Sequence, residues 1–393
     1  MKRETMQKRQ IVLPSAFIRS NFMPLLLAFF LSLITAGCAY KDIDKRAFVM
    51  SIGVDPAPEK ESEAEDDRRD QDVYEVTLKV AIPTSDIKSG ENLFVLFSAT
   101  GKTIAEAIQK VMPMIEGNLD FSHTKIIFFS KSLAEDVKLR DLIDWFIRME
   151  TIQDIALVAL AEPTAKDVLS LSPPTERLPA NSLFTALDGS GTTAPTIAHS
   201  PLIDVYRRLY EPGLDPSLPI VQTVGKKNYK ITRAALFDKE RLKLILDPEE
   251  TEWFNFLAGS TSNVTLGDVP KGYFFHVDPN RASSRFTLRQ TPQGKLTIVW
   301  HLVLNGSIDE RQGKPVSDKE KISAEVRRLA EQKTRDLTEK LLQHRLDPLG
   351  FGFEYRTRKP HKKDFAAFQK MYPQLQVSVE TRTVIYETGN LIR

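Results

Sequence analysis

The sequence predicts a mixed α and β protein of two or three domains behind a cleaved leader. Three observations carry this. Beyond residue 38, short strand-like apolar runs alternate with segments of helical spacing. About 355 residues follow that point, too many for one ordinary core. The first 37 residues have a different character from the rest. They open with Lys2, Arg3, Lys8, Arg9 and Arg19, continue with an apolar run from Met23 to Ile34, and end on Thr35-Ala36-Gly37. A basic region, a short apolar run and small residues mark secretion rather than a membrane span. The apolar run is about 12 residues, short of the roughly 20 that a spanning helix needs.

Cys38 follows at once and is the only cysteine in the chain. A cysteine in that place reads as the acceptor of a bacterial lipoprotein anchor. Its thiol is alkylated by a diacylglyceryl group, the leader is cut, and Cys38 becomes the new N-terminus. Thr35 stands three places before it, where Leu is usual. The alternative is an ordinary secretory cut that leaves an unpaired thiol. No disulfide or CxxC site can form within the chain.

The formal charge of the 393 residues is +2. Five basic residues and Glu4 lie in the leader, which leaves the remainder near −2. No broad basic face is implied, so nucleic acid is excluded as a main partner. No later segment is long and apolar enough to span a bilayer, and two acyl chains suffice for stable anchoring.

In chain order, Arg46 to Asp55 reads as a strand, and Tyr74 to Val80 alternates as a half-buried strand does. The two form a hairpin around a charged loop from Glu59 to Asp72. Leu93 to Ser98 is a third strand. Ile104, Ala107, Ile108, Val111 and Ile115 have helical spacing, with Pro113 to bend or end the helix. Lys125 to Phe129 and Ile155 to Ala161 are buried strands, and Leu139 to Met149 is an amphipathic helix. Thr164 caps a further helix with Asp167 in a capping-box-like place. This alternation fits an α/β or an α+β domain.

Pro173 to Pro201 reads as a connector. Ile203 to Tyr210 is a short helix, and Pro212, Pro216 and Pro219 punctuate the chain before a second set of strands. Strands Tyr229 to Phe237 and Leu242 to Leu246 flank a polar turn. Asp247-Pro248-Glu249-Glu250 starts a helix that ends before Gly259. Arg285 to Arg289 and Lys295 to Ile308 pair across 291–294. A long helix over 318–344 carries the stripe Ile322, Val326, Leu329, Leu337 and Leu341, which faces a sheet or, alternatively, a coiled-coil partner. Leu375 to Tyr386 closes the chain as an alternating strand. The segments are 1–37, 38–180, 181–270 and 271–393.

Enzyme signatures fail on spacing. Gly101-Lys102-Thr103 lacks the first glycine of a P-loop, since Leu96 holds that place. Gly350-Phe351-Gly352 has Tyr355 where a dinucleotide fingerprint needs glycine. No two histidines form the i, i+4 pair of a zinc helix. His123 leads into a buried strand, which gives it a structural hydrogen-bonding role.

Four segments stand out by order and spacing. They are Asp42 to Asp55 behind Cys38; Leu119-Asp120-Phe121-Ser122-His123-Thr124-Lys125-Ile126-Ile127; Asp347-Pro348-Leu349-Gly350-Phe351-Gly352; and Tyr372-Pro373 with the strand Leu375 to Val384. Together they resemble the C-subunit family of spore germinant receptors, the Ger(x)C lipoproteins of endospore-forming bacteria. Departures are Thr35, the acidic loop at 59–72, and Ala39-Tyr40 where the family often has Trp-Asp. The resemblance implies an α+β fold of three small sheet-plus-helix domains on a lipid anchor. It implies A-type and B-type integral membrane subunits as partners, and a place on the outer face of the inner spore membrane. The role implied is nutrient-triggered germination, with no catalytic residue, no metal and no cofactor beyond the covalent diacylglyceryl and acyl lipid on Cys38. Asp120, Gly350 and Gly352 then read as turn formers, and Phe121 and Phe351 as core residues. The same set, with His123, Lys125 and Asp347, alternatively forms a partner-contact surface. The competing functional reading is a solute-binding lipoprotein that delivers a nutrient to a transporter.

Overall fold

The run from Arg46 becomes a strand because both its faces find cover: Val49, Ile52 and Val54 are fully buried. The computed structural model describes residues 45–58, 73–82, 93–173, 180–189, 194–267, 273–290, 295–311 and 319–386. Cys38, the charged loop at 59–72 and the turn at 291–294 lie outside them. Strand β1 (Arg46–Pro56) pairs antiparallel with β2 (Tyr74–Ala81), and β2 with β3 (Phe94–Gly101). Helix α1 (Ile104–Val111) begins where the Thr103 hydroxyl accepts the N–H of Glu106, and gives way at Pro113 to a 3-10 turn over Met112–Met114.

The chain returns to β1 through β4 (Asn118–Asp120) and enters β5 (Ile126–Ser130), parallel to β1 with Ile127 opposite Ile52. Helices α2 (Lys131–Asp136) and α3 (Leu139–Arg148) lead to β6 (Leu157–Glu162), parallel to β5. Helix α4 (Ala165–Ser170) is capped twice. Thr164 accepts the N–H of Asp167, and the Asp55 carboxyl at the end of β1 accepts those of Ala165 (2.7 Å) and Lys166 (2.9 Å). Close packing permits this: a methyl on Gly53 would lie 2.9 Å from Ala165 Cβ.

The Pro-rich connector holds more order than its composition suggests. It contains α5 (Asn181–Leu187), and after α6 (Leu202–Tyr210) comes β7 (Ser217–Val224), which adds parallel to β6. Pro219 lies inside β7 and gives no N–H to a ladder. The strand accommodates it because pairing with β6 starts at Ile220, just beyond it. Strands β8 (Asn228–Phe237) and β9 (Leu242–Leu246) complete a nine-stranded sheet in the order β3-β2-β1-β5-β6-β7-β8-β9, with β4 on β1. This sheet crosses the expected boundary at 180/181, because β7 covers the edge that β6 would otherwise leave open.

Helix α7 (Pro248–Leu257) starts on a full capping box between Asp247 and Glu250. A second sheet has the order β10-β11-β12-β13, from β10 (Thr265–Leu266), β11 (Tyr273–Gln290), β12 (Leu296–Arg311) and β13 (Gln376–Ile385). Its central hairpin is far longer than Arg285 to Arg289 suggests. Helix α8 (Lys319–Gln343) turns its stripe toward this sheet, so the coiled-coil alternative is replaced by sheet packing. The stripe has polar members whose purpose is now visible. Thr334 accepts the indole N–H of Trp253 and Thr338 that of Trp300, both buried, at 3.0 and 3.1 Å. A buried indole N–H needs such a partner.

Two short helices, α9 (Phe351–Arg358) and α10 (Lys362–Met371), come after α8. Leu236 and Leu246 of the first sheet share a core with Trp253, Trp300 and Phe351. The segments 181–270 and 271–393 are therefore joined through apolar packing. The fold is α+β. Among the described residues, no helix is long and apolar enough to cross a membrane.

Candidate functional site

The two sequence motifs occupy two different places. The first lies where β5 and β6 begin, beside Val49 and Met50 of β1. Asp120 Oδ1 accepts the N–H and the hydroxyl of Ser122, closing a tight turn. Phe121 is buried beside Trp145. Thr124 donates its hydroxyl to the Val49 carbonyl at 3.1 Å, which fixes the turn to β1. Lys125 reaches Asn181 Oδ1 at 3.0 Å and lies over the Phe184 ring, so it holds α5. His123 differs from expectation. It is exposed, and its described contact is the ring of Phe48, edge to face at 5.0 Å. A cleft of about 220 Å³ opens beside Ser122, His123 and Lys125.

The second motif is a knot between the α6–β7 connection and the end of α8. Asp347 is buried at its centre. Its carboxyl accepts the N–H of Phe351 at 2.8 Å and of Gly352 at 2.6 Å, which starts α9. Gly350, in left-handed backbone, precedes that helix as its N-cap. Asp347 and Asp215 also meet: the Asp347 N–H donates to the Asp215 carboxyl oxygen Oδ2 at 2.7 Å, and the Asp215 N–H to the Asp347 backbone carbonyl at 2.9 Å. Arg208 donates to the carbonyls of Asp215 and Pro348. Gly213 and Gly352 touch backbone to backbone, and Gly213 accepts the N–H of Phe353 at 2.9 Å. Tyr372, the start of the fourth motif, donates its hydroxyl to the Leu346 carbonyl at 2.6 Å.

Burial sets the electrostatics of the knot. It pushes the Asp347 carboxyl up to about 7, against the pull of the Gly352 N–H, and the Asp215 charge adds to the rise. Burial also raises Asp215, opposed by the Asp347 N–H and by Lys239. Lys239 is lowered by burial and drawn back by Asp215, 3.6 Å away. Tyr372 is driven well above its ordinary value, by burial and then by the negative field of Asp347 and Asp215. The Lys239 ammonium donates to the carbonyls of Arg208, Glu211 and Leu214. Its three N–H groups are thus spent on backbone, which makes it a tie rather than a nucleophile.

A cleft of about 450 Å³ borders the knot, lined by Asp215, Lys239, Arg345, Asp347 and Tyr372 among others. Gly213 and Asp215 were not legible as site residues because they sit in a stretch whose prolines read as simple punctuation, and Lys239 because it lies in what reads as an ordinary polar turn between two strands. Phe351, by contrast, is a core residue in full. It has no exposed surface and meets Phe286 at 4.7 Å and Trp300 at 5.9 Å. Phe351→Ala is expected to cost about 3–5 kcal/mol, read as a lower denaturant midpoint at an unchanged slope.

Comparison with known proteins matches this architecture. Residues 39–223 match the family described as "Spore germination protein N-terminal domain". Residues 232–389 match "Spore germination B3/ GerAC like, C-terminal". The chain belongs to the Ger(x)C family of spore germination proteins. The boundary between the two family regions falls at the turn from β7 to β8, so neighbouring strands of one sheet come from different regions.

Ger(x)C relatives in Bacillus subtilis (strain 168) include spore germination protein KC, 23% identical over 329 residues, covering 75% of this chain and 79% of that one. Spore germination protein B3 is 26% identical over 253 residues, covering 62% and 63%. The putative spore germination protein YfkR is 25% identical over 243 residues, covering 58% and 57%. The last two alignments span less than two thirds of the relative. The crystal structure of the GerBC protein shares the fold with a TM-score of 0.51 at 15% identity, covering 86% of this chain and 98% of that one.

Proposed function

We propose that this Ger(x)C protein is the membrane-anchored lipoprotein subunit of a spore nutrient germinant receptor. The observation that carries the reading is positional. The matched region begins at residue 39, directly behind the one cysteine and its basic, apolar and small-residue leader. In this reading Cys38 bears the diacylglyceryl and acyl lipid, and the body lies on the outer face of the inner spore membrane. A-type and B-type membrane subunits are its partners. A two-chain anchor raises the concentration of the body beside them, so weak contacts suffice. The subunit has a binding and supporting role rather than a catalytic one. The spent hydrogen bonds of Lys239 and Asp347 favour support over solute capture, since a ligand in the adjoining cleft would have to displace backbone partners.

The test is Cys38→Ala in the sporulating host. The expected result is a full-length chain lost from the washed membrane fraction, and spores that no longer respond to one class of nutrient while a non-nutrient trigger still works. Retention of the variant in membranes with an unchanged response would overturn the anchor.

A further inference from the structure

We propose that the end of the nine-stranded sheet at which β1 begins rests on the bilayer surface through exposed apolar side chains. This rests on the anchor reading and adds an orientation to it.

The strand registers define that end. Val80 lies opposite Val49 on one side and Val95 on the other, so Ile82 and Val95 stand beside the start of β1. The N–H of Lys125 bonds the Met50 carbonyl, and the N–H of Leu157 bonds the Lys125 carbonyl, so β5 and β6 begin level with Met50, four residues into β1, and the residues just before them run back toward its start. Ile155 immediately precedes β6, and the N–H of Ile203 bonds the neighbouring Asp154 carbonyl. Met114 lies on the connection that brings the chain back to β4 and β1. These five side chains are open to solvent: Ile82 41%, Val95 42%, Ile203 45%, Met114 57% and Ile155 66%. From β3 to β6 they line a row of five strands, about 19 Å wide at about 4.8 Å per strand. Scattered apolar residues are ordinary on a surface; a row of them along one end marks an interaction face.

The covalent tether says what covers it. Cys38 and Arg46 are eight residues apart, a reach of at most about 28 Å at about 3.5 Å per residue. Strand β1 has 11 residues and is about 33 Å long at about 3.3 Å per residue. A lipid on Cys38 therefore holds the start of β1 near the bilayer, whereas the Pro56 end stands beyond the tether's reach with β1 upright. Exposed Glu116 and Asp154 lie among the apolar side chains. Lys45 and Arg46 stand at the opening of β1, at the same end, so charges of both signs border the row and its apolar side chains carry the contact.

The experiment uses the full chain with its leader and Cys38. In the anchor reading the Cys38 thiol is consumed, so one introduced cysteine takes an environment-sensitive dye. Ile82→Cys and Ile155→Cys probe the proposed end. Val73→Cys, exposed beside the Pro56 end of the sheet, is the control. Membranes carry a nitroxide-labelled lipid. The expected result is blue-shifted, lipid-quenched emission at 82 and 155 and neither effect at 73. A membrane-retained chain with all three dyes unquenched would overturn the docking and leave the anchor standing. A blue shift at 82 and 155 that appears only with co-produced membrane subunits, without lipid quenching, would assign the end to a protein and overturn the proposal. A chain in the soluble fraction whose Cys38 itself takes the dye would remove the anchor and the docking together.

Discussion

Replacing Gly213 by alanine is expected to destabilise the protein by on the order of 3–5 kcal/mol. Gly213 has φ +80°, and a methyl there would lie 2.5 Å from Gly352 C and from Phe353 N. Both neighbours are backbone, so neither can move aside without displacing α9. That displacement would pull Phe351 from its contacts with Phe286 and Trp300 and would stretch the two N–H bonds that Asp347 accepts. Gly225→Ala is the matched control. Gly225 has φ +62° with nothing within 4 Å of the added methyl. It carries the backbone penalty alone, about 1 kcal/mol. Urea or guanidinium melts of the two variants separate backbone strain from the close approach. Equal midpoints would show that the Gly213–Gly352 contact contributes little.

Asp347 should make stability fall as pH rises from about 4 to about 7. Its folded value is about 7, against 3.8 for an ordinary aspartate. In that window the folded state keeps a proton that the unfolded chain has lost. The contribution is therefore complete below the unfolded value and is lost as pH climbs through the folded one, at up to about 1.4 kcal/mol per pH unit for one proton. Asp215, Asp55 and Glu252 are also raised, burial being the first cause for each, and act in the same direction. Asp204 acts oppositely. Burial raises it, but Arg208 and Arg207 outweigh that and lower it, so its contribution changes below about pH 4. Asp347→Asn should flatten the slope and cost about 1–3 kcal/mol, because the Phe351 and Gly352 N–H groups go to separate carboxyl oxygens and the amide keeps only one of them, its NH2 being a donor. Denaturant midpoints across that pH range would test it. Parallel pH profiles for the parent chain and the variant would remove Asp347 as the source.

Much of the local structure was legible because its causes are local. Thr164 and Asp247 each cap the helix that the sequence places after them, since a cap needs only the next turn. The alternation in β13 gives the half-buried edge strand it suggests. The continuous apolar run at Ile126 gives a strand buried on both faces. Local signals misled where tertiary context opposed them. Pro219 argues against a strand, yet β7 forms because its neighbours supply the ladder around the proline. Thr334 and Thr338 look like gaps in an apolar stripe and are instead the partners of two buried indoles. His123 follows a turn fixed by Asp120 and Thr124, so its ring faces solvent and Phe48.

By itself the sequence determined the family, the α+β composition, and most strands and helices. These rest on patterns within a few turns or on motif order along the chain. Only the tertiary structure decided that β7 to β9 extend the first sheet across the expected boundary. It alone brought Asp215 against Asp347, partners 132 residues apart, and collected Ile82, Val95, Met114, Ile155 and Ile203 at one end of that sheet. The physical reason is the same throughout. A strand edge, a buried carboxyl and an apolar side chain acquire their meaning from what packs beside them, and spacing along the chain does not encode that neighbour.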